Sequence, residues 1–316
     1  MASPEVVTMG RVGVDLYPEQ IGVTLAEVRT FAKSLGGSAT NVAVAASRLG
    51  RRSAVITKVG NDGFGDYVRK ALAGFGVDAR WVGTDSTLRT PIVFCEIFPP
   101  DRFPIYFYRE PKAPDMNIRR EELDLAAIAA APLFWTTGTG LSDEPSRTAT
   151  LAALDARRGR DFTIHDLDHR HHLWHGADEA RRFAHEALRN ASVVVGNTDE
   201  VEMATGLRDA RSAAAALLEL GPRLAVVKRG HEGAYARTAR DEVNVPAVEI
   251  EVLNGLGAGD AFGGALAHGL LSGWPLARTL EVANAAGAIV ASRLACADAM
   301  PTQAEIDAVL ARRVSA

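Results

Sequence analysis

The sequence predicts an α/β protein with a mostly parallel central sheet and a small β flap, the lid. Strand-like apolar runs alternate with helix-like runs along most of the 316 residues, a rhythm typical of βαβ units. The rhythm breaks at residues 18–35 and 88–110. No internal repeat or low-complexity linker divides the chain, so we expect a single domain over 1–316, with lid segments at about 11–35 and 88–112.

The elements of the main sheet and its helices follow in order. Ser38 is a plausible N-cap of the first helix, and Gly50 lies just past its end. Gly74 or Gly76 closes the second helix. Strands are predicted at 5–17, 52–60, 132–138, 161–167, 191–197 and 223–230, and helices at 38–50, 65–76, 120–131, 144–159, 177–190, 258–273 and 275–294.

The lid segment at 88–110 has the pattern of two strands joined by a Pro-Pro-Asp-Arg turn at 99–102. Apolar and polar residues alternate over 103–110, which indicates one packed and one exposed face. We therefore expect a hairpin there, and its exposed edge favours a homodimer.

Composition excludes several classes of protein. The net charge is −4 without a long basic tract, which argues against a nucleic-acid or membrane partner. The first ten residues lack the pattern of a signal peptide, and the apolar run at 125–135 is too short to span a bilayer. Cys95 and Cys296 have no metal or redox spacing. Together these features predict a cytoplasmic protein.

The stretch LNGLGAGDAF at 253–262 carries the strongest chemical signal. Glycines allow the backbone N–H groups of Gly257, Ala258 and Gly259 to point at one anion before an apolar helix begins. Asp260 then stands beside that anion, where a carboxylate is costly unless it accepts a proton from an attacking hydroxyl. The plainer alternative is a glycine-rich turn with Asp260 as N-cap. The stretch lacks the ending of a P-loop and comes too late for a first-strand dinucleotide fingerprint.

Glycines and polar residues also recur where other predicted strands end. In an open α/β sheet, ligands bind outside the carboxyl ends of the strands. Gly36 and Gly37 precede a helix that carries Asn41 in its first turns. The remaining members of this set are Asn197, Glu200, Lys228, Gly230 and Gly233.

Taken in order, these segments resemble the ribokinase-like (PfkB) family of carbohydrate kinases over essentially the whole chain, which implies a three-layer fold. The family usually has Asp-Thr-Thr before Gly-Ala-Gly-Asp, where this chain has Asn254, Gly255 and Leu256. The matching segments are Gly10, Asp15, GGSATN at 36–41, GNDGFG at 60–65, NTDE at 197–200, VKRGHEG at 227–233 and GAGDAF at 257–262.

The resemblance implies ATP and Mg²⁺ as cofactors, and it implies roles for individual residues. Asp260 is the base, and residues 257–259 hold developing charge. Sugar hydroxyls would be held by Asp15, Gly36, Gly37 and Asn41, and the sugar acid or the phosphates would be faced by Arg109 and Arg170. Mg²⁺ would be positioned, partly through water, by Asn197 and Glu200. The nucleotide would be bordered by Lys228, Gly230 and Gly233, and its adenine by Asn284. Structural alternatives exist: Asp15 as a turn cap, Lys228 as a solvated strand end and Asn284 as a plain helix residue.

Within the family, six segments resemble the 5-dehydro-2-deoxygluconokinases of inositol catabolism, which implies a six-carbon keto sugar acid as substrate. The 2-keto-3-deoxygluconate kinases share related segments, but they have Asn where this chain has Asp168. Fructose or ribose ranks third, because a neutral sugar would leave the guanidinium groups of Arg109 and Arg170 desolvated without an anion. The six segments are 10–17, 31–41, 103–110, 137–145, 166–174 and 251–262.

Alternatives outside the kinase class stay open at this point. A non-catalytic sugar-binding regulator would not need Asp260, and a nicotinamide dehydrogenase would need a first-strand fingerprint that the chain lacks. Five histidines lie between His165 and His175. His165 and His169 have metal-like spacing, but a strand running into a loop would not place them on one helical face, so we expect no zinc site and mostly solvated or capping histidines.

Overall fold

The computed structural model describes residues 3–314, so residues 1–2 and 315–316 of the predicted domain lie outside the described part. The strands are β1 (Val6–Met9), β2 (Gly13–Pro18), β3 (Phe31–Gly36), β4 (Ser53–Gly60), β5 (Val82–Asp85), β6 (Ile92–Cys95), β7 (Ile105–Tyr108), β8 (Leu133–Thr137), β9 (Thr163–Asp166), β10 (Val193–Asn197), β11 (Leu224–Lys228), β12 (Ala234–Thr238) and β13 (Glu242–Val245). The α-helices are α1 (Ser38–Arg48), α2 (Gly63–Gly74), α3 (Leu125–Ala130), α4 (Ser146–Ala156), α5 (Ala177–Leu188), α6 (Thr198–Thr205), α7 (Ala210–Glu219), α8 (Ala258–Leu271), α9 (Leu276–Ala291) and α10 (Gln303–Val314).

Nine strands form the main sheet in the order β13-β12-β11-β10-β9-β8-β1-β4-β5. Neighbours from β11 to β5 are parallel, whereas β12 and β13 are antiparallel additions at one edge. All of β4 is buried, as expected for a parallel strand that is covered on both faces. The predicted parallel sheet is therefore confirmed.

Helices cover both faces of the main sheet, which makes three layers. Side chains alternate along a strand, so Val6 packs in the core with α1, α2, α8, α9 and α10, while its neighbour Val7 packs on the other face with α3 and α4. Helices α5, α6 and α7 continue that second layer over β10 and β11. Within residues 3–314 no helix is long and apolar enough to cross a bilayer.

The lid is a separate sheet of four strands in the order β3-β2-β6-β7. The predicted hairpin is confirmed: β6 and β7 pair antiparallel, and Phe98 bridges Arg102 across the turn. Along β7, Ile105 and Phe107 are half-buried whereas Tyr106 and Tyr108 are exposed. The lid therefore turns one face toward the main sheet and the other toward solvent.

The first predicted strand, 5–17, is wrong as a single strand. It divides at Gly10 into β1 of the main sheet and β2 of the lid. Gly10 has φ of 152°, and a Cβ there would lie 3.0 Å from Ala39 Cβ and from Thr137 Oγ1. The close approach of α1 and β8 thus requires a glycine where the chain leaves one sheet for the other.

Other elements differ from prediction at their ends or were not predicted. The helix predicted over 120–131 begins only at Leu125, because the side chain of Asp124 accepts from Ala127 N at 2.9 Å and caps it there. Gly50 and Gly76 take left-handed φ values just past α1 and α2, as expected of residues that follow a helix. The sequence interpretation did not assign β5, β12, β13, α6, α7 or α10.

Candidate active site

Two clefts meet at the N-terminus of α8. The larger cleft has a volume of about 750 Å³ and is lined by Ala258 and Gly259 from that helix. The smaller cleft has a volume of about 80 Å³ and is lined by Gly257 and Asp260. The first turn of α8 is therefore a wall shared by two binding spaces. Phe103 of the lid reaches the larger cleft, and Phe107 reaches the smaller one.

Gly257, rather than Asp260, is the N-cap of α8. Its φ is 82°, and a Cβ at this position would lie 2.6 Å from Cys296 Sγ. The alternative in which Asp260 caps a glycine turn is therefore wrong. No side chain among the described residues caps this helix, so the N–H groups of Ala258 and Gly259 remain available to a ligand, whereas those of Asp260 and Ala261 donate to the carbonyl of Gly257. This arrangement suits an anion.

The carboxylate of Asp260 is held by two neutral donors from α1. Ser38 Oγ donates to Oδ1 at 2.7 Å, and Asn41 Nδ2 donates to Oδ2 at 2.8 Å. Burial raises the pKa of Asp260 to about 6, although these hydrogen bonds act in the opposite direction. Ser38 was expected to cap α1, but Gly37 is the N-cap. The hydroxyl is thus free to orient Asp260.

Asp15 lies across the smaller cleft on β2, where Tyr17 Oη donates to its Oδ2 at 3.2 Å. Burial raises the pKa of Asp15 to about 7. A side chain at Gly36 would occupy the space of the Asp15 carboxylate. Gly37 and Asn41 also line this cleft. The structure therefore brings the predicted sugar-binding residues Asp15, Gly37 and Asn41 together at this cleft. The absence of a side chain at Gly36 leaves space for the carboxylate of Asp15.

The two predicted arginines differ in their surroundings. Arg109 lines the smaller cleft, but it forms a buried ion pair with Asp115, whose other oxygen accepts from Val12 N at 2.9 Å. Arg170 also lines the cleft and lies 3.1 Å from Asp168. The expectation that a neutral sugar would leave both guanidinium groups without an anion is therefore wrong, because Asp115 pairs with Arg109 and Asp168 pairs with Arg170.

Arg11 is a third arginine in the smaller cleft that sequence reasoning missed. Its Nη2 donates to Asp168 Oδ2 at 3.1 Å, and its Nε donates to Thr139 Oγ1 at 2.9 Å. Burial would raise the pKa of Asp168, but Arg11 and Arg170 outweigh that effect and hold it below its ordinary value. The available signal was a charged residue beside Gly10 in the middle of a predicted strand, which is an unfavourable place for a guanidinium without a partner.

Lys228, Gly230, Gly233 and Asn284 all line the larger cleft. Lys228 is not a solvated strand end, since its side chain is 17% exposed and Nζ lies 3.4 Å from Asp166 Oδ2. Burial acts to lower its pKa, but Asp166 and Glu200 outweigh burial and raise it, so the ammonium stays charged. The Asn284 amide donates to the carbonyls of Val245 and Pro246 at 3.3 and 3.2 Å.

Asn197 and Glu200 form a capping box at the start of α6. Asn197 Oδ1 accepts from Glu200 N at 2.9 Å, and Glu200 Oε2 accepts from Asn197 N at 2.7 Å. Burial raises the pKa of Glu200 to about 7. A structural role is thus established for both residues, while their contact with nucleotide or metal stays a prediction.

The described residues contain no group of three or more His, Cys, Asp or Glu side chains placed to hold a metal ion. His165 is fully buried with Nδ1 at 2.9 Å from Thr136 Oγ1, and burial lowers its pKa to about 4. His171, His172 and His175 are exposed, as expected.

The geometry defines a class of protein. A large cleft and a small polar cleft adjoin at a helix N-terminus that offers free N–H groups, and a carboxylate with a raised pKa stands at their boundary. Such a site transfers an anionic group from one ligand to a hydroxyl of another, which is the work of a small-molecule kinase.

Residues 3–303 match the model of the pfkB family of carbohydrate kinases. The chain belongs to this family, and it is therefore an ATP-dependent carbohydrate kinase with a ribokinase-like fold.

Curated relatives and solved structures agree with this assignment. The chain is 34% identical to a 5-dehydro-2-deoxygluconokinase of Photobacterium profundum over 95% of this chain and 92% of that protein. It is 32% identical to one of Geobacillus kaustophilus, with the same coverage of 95% and 92%. A putative ribokinase II of E. coli, solved with ATP and Mg²⁺, has the same fold, with a TM-score of 0.88, 24% identity and coverage of 98% and 99%.

Proposed function

We propose that this kinase phosphorylates the terminal hydroxyl of a six-carbon keto sugar acid, with 5-dehydro-2-deoxy-D-gluconate as the preferred substrate and its 6-phosphate as product. The single observation that carries the sugar-acid proposal is the pair of arginines at the smaller cleft, Arg11 and Arg170, which share the one carboxylate of Asp168. The curated relatives named above support the choice of this particular acid at about one-third identity.

The smaller cleft would bind the sugar acid, whose terminal hydroxyl accepts the phosphoryl group. The sugar would lie between Asp15 on the lid and Asp260 on α8, with its terminal hydroxyl toward Asp260. A carboxylate whose pKa is about 6 is ionised at neutral pH and still basic enough to accept the proton as the hydroxyl attacks. Ser38 and Asn41 keep both of its oxygens oriented. Asp260 is thus the proposed general base.

The larger cleft would bind the nucleotide. Its triphosphate would approach the first turn of α8, where the N–H groups of residues 257–259 stabilise charge that develops on the transferred phosphoryl group. Lys228 supplies a positive charge at the same end of the cleft, 3.5 Å from the position of a Cβ on Gly259. Asn284 and Gly233 would border the base. The terminal phosphate would therefore lie next to Asp260.

The donor set near Lys228 fits a divalent ion that retains water. Glu200 has one carboxylate oxygen occupied by Asn197 N, and Asp166 lies beside Lys228. One or two carboxylates together with phosphate oxygens suffice for Mg²⁺, which rarely occupies an all-protein cage. We propose that Glu200 holds the ion through water. When bound, Mg²⁺ would neutralise charge on the phosphates.

The lid would exclude water from the reacting phosphate, because Val93, Ile105 and Phe107 place apolar surface over the smaller cleft. The lid sheet also has free edges at β3 and β7, and Tyr106 and Tyr108 are 41% and 64% exposed. The homodimer stays a prediction that rests on these edges.

A substrate panel tests the proposal. The values of kcat/KM for 5-dehydro-2-deoxygluconate, 2-keto-3-deoxygluconate, fructose and ribose should rank in that order, with the acids ahead of the neutral sugars by about 100-fold. A neutral sugar as best substrate would overturn the sugar-acid proposal and leave the kinase assignment intact. The first two acids in reverse order would move the assignment to 2-keto-3-deoxygluconate.

A further inference from the structure

The ion pairs around the smaller cleft differ in the number of arginines that share each carboxylate. Arg109 and Asp115 form a balanced pair, with side chains 7% and 0% exposed. Asp168, by contrast, is shared by Arg11 and Arg170. Two guanidinium groups therefore share one ion-pair partner, while Asp15 and Asp260 contribute further negative charge to the same cleft.

The other carboxylates of the cleft do not form ion pairs with these arginines. Asp260 accepts its hydrogen bonds from Ser38 and Asn41, and Asp15 accepts from Tyr17, all of which are neutral donors. An incoming anion can therefore pair with Arg11 and Arg170 without displacing an existing partner.

Arg11 is held rigidly. Its side chain is 7% exposed, Nε donates to Thr139 at 2.9 Å, and Nη2 donates to Asp168 at 3.1 Å. Thr139 Oγ1 in turn donates to Asp168 Oδ2 at 2.9 Å, which closes a ring of three side chains. In the described part of the chain, Nη1 makes no hydrogen bond, and Arg11 lines the cleft. A preorganised guanidinium thus keeps one donor for a ligand.

Asp168 is held in an uncommon backbone conformation. Its φ is 29°, and Phe162 is the other non-glycine residue with positive φ among residues 3–314. Asp tolerates this region better than most residues, but the conformation still costs energy, and such strain persists where the surrounding contacts fix it. Here the surrounding contacts are Arg11, Arg170 and Thr139. Asp168 is therefore placed to orient both arginines, as a positioning residue.

We propose that Arg11, oriented by Asp168 and Thr139, selects for an anionic sugar by binding the substrate carboxylate together with Arg170. Arg109, which Asp115 neutralises, shapes the cleft and adds little to charge selection. This inference rests on the proposed function, because it names the residue that recognises the acid group of the proposed substrate.

The test compares Arg11→Gln with wild type and with Arg158→Gln. Arg158 is a matched control, since its side chain is 72% exposed and lines neither cleft. Values of kcat and KM are measured for 5-dehydro-2-deoxygluconate and for fructose. In Arg11→Gln, kcat/KM for the acid should fall roughly 10- to 100-fold, mainly through KM, as expected for loss of charged hydrogen bonds. The value for fructose and the calorimetric Kd for ATP should change less than about threefold, and the control should match wild type.

The outcomes separate the two proposals. Wild type that prefers fructose overturns the proposed substrate. Wild type that prefers the acid, with an unchanged preference in folded Arg11→Gln, overturns the role of Arg11 alone.

If Arg11→Gln does not fold, the Arg11→Lys variant tests whether Arg11 binds the substrate carboxylate. A lysine cannot keep both contacts of the guanidinium and offer a further donor, so KM for the acid should rise about tenfold with kcat little changed. An unchanged KM in Arg11→Lys would overturn the inference.

Discussion

The two clefts beside α8 differ in what lines them. The larger cleft is formed mostly by backbone turns and apolar side chains, and Lys228 is fixed at its inner end. The smaller cleft is lined by five charged side chains, and one of them, Arg11, is fixed by an ion pair to Asp168, 157 positions away in sequence. Under the proposed function, the larger cleft would recognise its ligand by shape and main-chain donors, and the smaller cleft would recognise its ligand by charge.

This difference has a physical basis. A triphosphate needs N–H groups and close backbone approach, which a local glycine motif supplies. A polar sugar in a small cleft needs donors and acceptors at fixed places around it, which several separate elements must supply. Substitutions in the two clefts should therefore separate nucleotide use from sugar recognition, and Asp260 at their boundary should affect neither binding step.

The largest effect is expected for Asp260→Asn. Turnover should fall roughly 10²- to 10⁴-fold, the usual contribution of a positioned base. Binding in both clefts should change little, because the glycine turn and the arginines remain. Steady-state kinetics with calorimetry for ATP and for the sugar acid checks this. Near-normal turnover in a folded variant would remove Asp260 from the mechanism.

Gly259→Val should separate the two clefts. A Cβ at Gly259 would lie 3.5 Å from Lys228 Nζ, an ordinary contact, but a branched side chain would extend into the larger cleft. The Kd for ATP should rise roughly 5- to 150-fold, the range that corresponds to overpacking by about 1–3 kcal/mol. The Kd for the sugar acid should stay within about twofold.

Gly259→Ala is the matched control for that experiment, and it should bind ATP nearly as wild type does. Unchanged ATP binding in Gly259→Val would mean that the glycine run is only a structural turn. Weakened binding of the sugar acid would mean that the two clefts are not independent.

A smaller effect is expected from pH. Burial raises the pKa of Asp260 to about 6, and the base must be unprotonated to act. Protonation of Asp260 should therefore lower activity as the pH drops through 6, by about tenfold at pH 5. Lys228, whose pKa is raised, stays charged over the same range. A pH profile of kcat with saturating substrates measures this effect. If the fall in kcat on the acidic side had an apparent pKa near 4, burial would not raise the pKa of Asp260 as the structure indicates.

The sequence was sufficient for features that depend on neighbours along the chain. The alternation of strands and helices indicated the parallel sheet, and the lid hairpin followed from the turn at 99–102. The glycine run at 257–259 preceded a helix, as expected, with Asp260 in its first turn. These features are local, because backbone conformation and hydrogen bonding within a segment decide them.

Some failures of prediction have a common cause. Residues 5–17 are continuous in pattern, yet Gly10 divides them between two sheets because α1 and β8 approach it closely. Ser38 has the sequence signature of an N-cap, but the structure uses its hydroxyl to hold Asp260, 222 positions away. In both places a contact between distant segments overrides a local preference.

The sequence by itself determined the layered sheet, the glycine-turned start of α8 and the position of Asp260 on its first turn. Tertiary structure alone decided that Arg11 meets Asp168, a carboxylate that Arg170 also contacts from two residues along the chain. The reason is that a backbone motif carries its geometry within a few residues, whereas the interaction of two charges depends on their separation and burial after folding. The glycine motif and Asp260 could therefore be recognised within one segment, whereas the pairing of Arg11 with Asp168 forms only when the segment between β1 and β2 meets the segment that follows β9.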